Sequence, residues 1–162
     1  MTEEQAIQAE LASKFPALQG KVRVARARRI FAEVPADQIE AVLDHVATQM
    51  GFVILCTITG LDLGETLGVK YHVARESGVV LSLEIRVPKA QPLVQTITGR
   101  FPAAELYERE MVDLLGIQVQ GLSQGKRYPL PDDWPAGQYP LRKDWKPAPS
   151  AKDKAPQEDK HE

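Results

Sequence analysis

A chain of 162 residues that is 43% hydrophobic and 26% charged can bury one ordinary core, and its length argues against a multidomain enzyme. A formal charge of -2 at pH 7 exerts no general pull toward nucleic acid or anionic lipid. The single cysteine, Cys56, excludes an internal disulfide and any iron–sulfur cluster that needs about four thiolates from this chain.

Taken in chain order, residues 2–18 predict an N-terminal helix with Ile7, Leu11 and Phe15 spaced by four, ending at Pro16. The opening MTEEQAIQAE is acidic where a secretory leader is basic, and the longest apolar run, Phe52 to Cys56, is too short to span a bilayer. These features predict a cytoplasmic protein that is held at a membrane, if at all, by other subunits. The run from Val22 to Val34, VRVARARRIFAEV, predicts one extended strand halted by Pro35. Pro35-Ala-Asp opens a helix whose stripe Ile39, Val42, Leu43, Val46 and Met50 must face a core, and Gly51 ends it.

FVILCTIT then predicts a buried strand, and GLDLGETLG a glycine-rich connection. Val69, Tyr71 and Val73 alternate with Lys70 and His72, and Glu76-Ser-Gly supplies a turn. The plainest strand is VVLSLEIRV: Val79, Leu81, Leu83, Ile85 and Val87 share a core face, while Ser82, Glu84 and Arg86 share the face toward water. Residues 105–117, ELYEREMVDLLGI, predict a helix ended by Gly116, with an extended segment restarting at Ile117, Gln118 and Val119. This order predicts an α+β fold, a mostly antiparallel sheet with helices packed on one side. The segments are an N-terminal helix (1–20), a core domain (21–121), an extended proline-rich wrap (122–145) and a disordered tail (146–162) whose composition offers nothing apolar to bury.

On a helical wheel Glu105, Arg109 and Asp113 stack as an acid–base–acid ladder opposite Tyr107, Met111, Leu114 and Leu115. Two readings stay open: solvated ion pairs on a surface helix, or a charged docking face. Glu108 lies on the flank of the apolar side, where a carboxylate needs a partner. In RYPLPDDWPAGQYPLRKDW, residues 127–145, four prolines at 129, 131, 135 and 140 prevent regular pairing. Such a segment wraps its own domain, covers another surface, or does both. Trp134, Tyr139 and Trp145 are its candidate anchors, and Arg142 is a candidate forked donor to a carboxylate.

Other chemistries find less support. Arginines 23, 26, 28 and 29 make the first strand basic, but alanine and valine between them give no stacking platform for RNA, so a solvated strand or a protein contact is the better reading. His45, His72 and His161 have no metal-ligand spacing with one another or with Cys56. No nucleophile elbow, phosphate loop or dinucleotide fingerprint is present, and neither Asp132-Asp133 nor Glu108 with Glu110 has a substrate to act on.

The combination of Thr59 to Asp62, Tyr71-His72, the alternating strand and the string Glu108, Arg109, Glu110, Asp113, Leu114, Gly116 and Ile117 resembles the small hydrophilic, thirty-kilodalton subunit of respiratory complex I. Pro131-Asp-Asp-Trp and Pro140-Leu-Arg-Lys-Asp match the second half of that pattern, so the resemblance covers about residues 22–145. Complex I members usually carry a Gly-His-Pro element and paired arginines after the helix. This chain has GLSQGKRYPL at 121–130, which looks more like the counterparts in membrane-bound, energy-converting nickel–iron hydrogenases.

The resemblance implies a scaffold with no metal or flavin of its own, in a complex that carries iron–sulfur clusters and a nickel–iron centre or quinone site. The implied partners are a large hydrogenase-like subunit, a small iron–sulfur subunit, a ferredoxin-like subunit and membrane subunits that move ions. It implies an interface made by Glu108, Arg109, Glu110, Asp113, Arg127, Asp132, Trp134, Tyr139, Leu141, Arg142, Lys143, Asp144 and Trp145. A quinone- or F420-linked dehydrogenase is the nearest alternative. A free-standing RNA-binding domain is the alternative from another class.

Overall fold

A computed structural model describes residues 1–147, so most of the expected tail, 146–162, lies outside the described residues. Helix α1 spans Glu3–Lys14 and starts with a capping box, in which Thr2 accepts from the Gln5 amide and the Gln5 side chain accepts from Thr2. Pro16 opens a short 3-10 turn, Pro16–Leu18, so the expected helix over 2–18 is divided there. Ile7, Leu11 and Leu18 are buried in the same core as the rest of the chain, and α1 is part of that packing unit.

Residues 22–34 form a hairpin, not the expected single strand: β1 (Val22–Arg26) pairs antiparallel with β2 (Arg29–Glu33). No glycine, proline or asparagine marks the turn, which is why the pattern concealed it. Arg28 adopts a φ of 60°, and its amide donates to the Glu4 carboxylate at 2.7 Å. Helix α2 (Ile39–Thr48) buries Ile39, Val42, Leu43 and Val46 as predicted, with Met50 and Phe52 buried just beyond its end.

Strands β3 (Ile54–Asp62), β4 (Thr66–Ala74) and β5 (Val80–Pro88) complete a five-stranded sheet in the order β1-β2-β5-β4-β3. Its pairings are antiparallel except β2 with β5, which is parallel. Two expectations change here. FVILCTIT is not a buried strand, because β3 is an outer strand: Ile54 is 48% exposed, Cys56 is also exposed, and Val53 just before the strand is 60% exposed. A short apolar run cannot distinguish an inner strand from an edge. The segment 60–68 is not a loose connection either: β3 and β4 run through it and leave three residues for the turn. Gly60 stays in the strand because α3 lies on it; a Cβ there would meet Leu115 Cδ1 at 2.4 Å.

Val69, Tyr71 and Val73 of β4 join Leu81, Leu83, Ile85 and Val87 of β5 on the core face, as alternation predicts. All three helices contribute to the core on that side, so the α+β class with helices on one face holds. Across the sheet, Ser82 is 1% exposed although its face was assigned to water: His72 Nδ1 lies 2.8 Å from its hydroxyl, and Phe31 stands beside it in register. After β5 come β6 (Leu93–Gln95), helix α3 (Ala104–Leu115) and β7 (Gln118–Gln120), and β6 and β7 pair as a separate two-stranded parallel sheet.

Candidate docking surface around the third helix

Helix α3 meets the sheet through Met111 and Leu115, which lie against β3 at Gly60. That contact fixes the directions of its charged residues. Glu108, 1% exposed, is drawn inward rather than displayed: its carboxylate accepts from Thr96 Oγ1 at 2.6 Å and from the Ile97 amide at 2.8 Å. Burial raises its pKa above the ordinary glutamate value, and the two hydrogen bonds offset only part of that rise.

Only the first rung of the expected acid–base–acid ladder forms. Arg109 Nη2 donates to Glu105 at 2.7 Å and to the Ser123 carbonyl and hydroxyl at 2.8 and 3.0 Å. The Arg109 bond and the Ser123 hydroxyl hold the Glu105 pKa below its ordinary value. Asp113 is taken instead by Arg127, whose Nε donates at 2.6 Å, and by the Leu130 amide at 2.8 Å. Arg127 also donates from Nη1 to the Trp134 carbonyl at 2.8 Å. A carboxylate that is 6% exposed needs such partners, and the chain supplies them from the segment after β7.

That segment, 122–145, is a strap pinned to its own domain. Trp134 and Trp145 each donate an indole N–H to Gln138, at its carbonyl and side-chain oxygens, with their rings 6.1 Å apart. The Tyr139 ring packs onto Gly116, whose φ of 68° ends α3 and whose missing Cβ makes the room; a Cβ there would meet the ring at 2.5 Å. Arg142 departs from the expected fork on a carboxylate: its Nε donates to the Leu115 carbonyl at 2.7 Å, and its guanidinium lies over Tyr139, 4.6 Å from the ring centre. The reason is local. The last carbonyls of a helix lack intrahelical donors, and the strap meets two of them, Leu115 through Arg142 and Leu114 through the Leu141 amide.

The far end of the strap is held at Asp62 and at Lys89, and Lys89 is the one that no local pattern singled out. Asp62, at the end of β3, accepts from Lys89 Nζ, the Gly64 amide and the Lys143 amide, each at 2.8 Å, and Lys89 reaches on to Asp144 at 3.0 Å. The Lys89 bond, helped by the two amides and opposed by desolvation, holds the Asp62 pKa at about 2. Lys89 likewise lowers the Asp144 pKa. Asp62 was legible only as part of the Thr59 to Asp62 string; two of its three partners lie 27 and 81 residues away.

Of the thirteen candidate interface residues, Glu108 and Asp113 are therefore buried in contacts of this chain. Arg109, Arg127, Trp134, Tyr139, Arg142 and Trp145 are half-buried in the strap and its seat. Asp132, Leu141, Lys143 and Asp144 face outward, and half-buried Glu110 forms no ion pair among the described residues. Among those residues no group of three His, Cys, Asp or Glu side chains could hold a metal ion, and no helix is long and apolar enough to cross a membrane.

Residues 32–151 match the family described as the respiratory-chain NADH dehydrogenase, 30 Kd subunit. The chain belongs to this family. One subunit of the F(420)H(2) dehydrogenase of Methanosarcina mazei is 32% identical over 143 residues, covering 86% of this chain and 90% of that protein. Formate hydrogenlyase subunit 5 of Escherichia coli K12 is 40% identical over 78 residues, 47% of this chain but only 14% of that longer one. Among solved structures, a chain of the membrane-bound sulfane sulfur reductase, an archaeal respiratory membrane complex, superposes with a TM-score of 0.80 at 28% identity, covering 90% of this chain and 86% of that one. Chains similar to this one thus occur in complexes whose names describe different redox chemistry, and the archaeal one shares this fold.

Proposed function

We propose that this chain is a non-catalytic accessory subunit of a membrane-bound, energy-converting hydrogenase related to complex I, docked on the large catalytic subunit at the cytoplasmic side of the membrane. The observation that carries the assembly role is the strap. A proline-rich segment that carries Trp134, Tyr139, Arg142 and Trp145 is pinned at Asp113, Leu115 and Asp62, so those side chains are ordered before any partner arrives. Family membership supports the setting, and the match to a small part of the long formate hydrogenlyase chain supports a close neighbour that elsewhere shares one polypeptide with this domain. That same match and the loop at 121–130 favour the hydrogenase branch. The similarity to a subunit of an F(420)H(2) dehydrogenase favours the dehydrogenase as the second reading.

The redox groups would lie in partner subunits, as iron–sulfur clusters with a nickel–iron centre or a quinone site. Affinity purification through this chain in mild detergent tests both levels. Recovery of a large subunit with stoichiometric nickel supports the hydrogenase. A large subunit without nickel moves the protein to the dehydrogenase branch, and recovery of the chain alone removes the assembly role.

A further inference from the structure

We infer that the free edge of β3 is a second docking site, which takes an extended segment of a partner polypeptide by strand addition. The inference rests on the accessory-subunit reading for the source of that polypeptide and on the geometry of β3 for the rest. In the β3–β4 hairpin the Leu63 amide donates to the Thr66 carbonyl, so the alternate residues Leu61, Thr59 and Thr57 turn their peptide groups toward β4. The peptide groups of Ile58 and Gly60 therefore point away from the sheet. The N–H groups of both residues and the Gly60 carbonyl meet no partner among the described residues.

Each edge of the sheet carries a side-chain cap, and on β3 the Tyr107 hydroxyl of α3 donates to the Cys56 carbonyl at 3.3 Å. At β1, the Gln8 side chain of α1 donates to the Val22 carbonyl at 2.6 Å and blunts the strand. No such cap covers Ile58 and Gly60 among the described residues. Beside them runs a groove of about 240 Å³, lined by Glu110, Met111, Leu114 and Leu115 of α3 and by Leu141 of the strap. The groove offers what an added strand requires: a ladder of unpaired backbone groups, an aliphatic slot for an alternate side chain, and a carboxylate with no cation of its own among the described residues.

These features select the occupant. The unpaired amides call for a polypeptide in extended form, the slot for an aliphatic side chain, and Glu110 for a lysine or arginine nearby. The sequence from residue 147 onward, PAPSAKDKAPQEDKHE, has no valine, leucine, isoleucine or aromatic residue and carries three prolines, so it does not match the slot. Leu141 joins the groove to the strap, so the added strand would continue the surface the strap presents.

Amide hydrogen exchange on the isolated full chain and on the detergent-purified complex tests this. Ile58 and Gly60 are expected to exchange freely in the isolated chain and at least about tenfold more slowly in the complex. Cys56, exposed and the only cysteine of the chain, should react with a bulky maleimide in the free protein, and this label should block assembly when applied first. Glu110→Arg, in the groove lining, should lower capture of the large subunit about tenfold while the melting temperature is kept. A complex that contains the large subunit but leaves Ile58 and Gly60 exchanging as in the free chain overturns the strand addition and leaves the accessory role standing. Protection already present in the isolated chain assigns the edge to this chain or a second copy and overturns the proposal. Failure to recover any large subunit removes both.

Discussion

Two carboxylates carry opposite signs of pH dependence because their surroundings differ. Asp62 is folded against an ammonium and two amides, with its pKa held at about 2 against an ordinary 3.8. Its contribution is fully present above the ordinary value and is lost as pH falls toward 2. The difference in denaturant midpoint between wild type and Asp62→Asn should therefore be constant near neutrality and shrink below about pH 4. Glu108 runs the other way: its raised pKa means that the folded state pays for ionisation, and wild type should lose ground to Glu108→Gln as pH rises through the carboxylate range. The glutamine amide can still accept from Ile97 and donate to Thr96, so its cost should stay below about 1 kcal/mol, whereas Glu108→Ala strands the buried Ile97 amide and should cost about 1–3 kcal/mol. Equal losses for the two variants in urea denaturation would show that packing, not hydrogen bonding, sets the cost.

At the scale of elements, the junction of α3 with the strap is the most demanding fit. Gly116 combines a positive φ with an aromatic ring at the position of its absent Cβ, so Gly116→Ala both strains the helix end and displaces Tyr139. Both tryptophans of the chain, Trp134 and Trp145, lie in the strap, which makes tryptophan emission, excited selectively over tyrosine, a report on that element alone. Gly116→Ala should shift their emission to the red while far-ultraviolet circular dichroism is kept, because the sheet and its core lie outside the junction. An unshifted spectrum would mean that the strap is held without the Tyr139 seat. Gly60 makes a close fit on the other side of α3: a Cβ there would force the Leu115 side chain to shift off β3.

For the whole molecule, assembly and strap order are expected to move together. Arg142 holds the strap to the end of α3 through the Leu115 carbonyl, so Arg142→Ala should redden the tryptophan emission and, by loosening the strap, lower capture of the large subunit by about tenfold, roughly 1.4 kcal/mol. Capture that stays undiminished while the emission shifts would take the strap out of the interface and leave the β3 edge as the docking surface.

Much of this architecture was legible from local pattern. Ile39, Val42, Leu43 and Val46 declare α2 by their 3.6 period, the alternation from Val79 to Val87 declares β5, and the string from Glu108 to Ile117 points to the family. Each of these signals lies within about ten residues, where periodicity acts. The tertiary structure decided what local pattern leaves open. Residues 22–34 alternate in the same way as a hairpin or as one strand, and Glu4, 24 residues from Arg28, meets the turn. FVILCTIT reads as buried until the strand order places it at an edge. Asp113 could have paired with Arg109 one helical turn away, yet the strap brings Arg127 to it, and the same strap returns Lys143 to Asp62 across 81 residues. Sequence spacing determines which face of an element a side chain occupies; which partner it finds there depends on how distant segments close over the core, and that is set by packing.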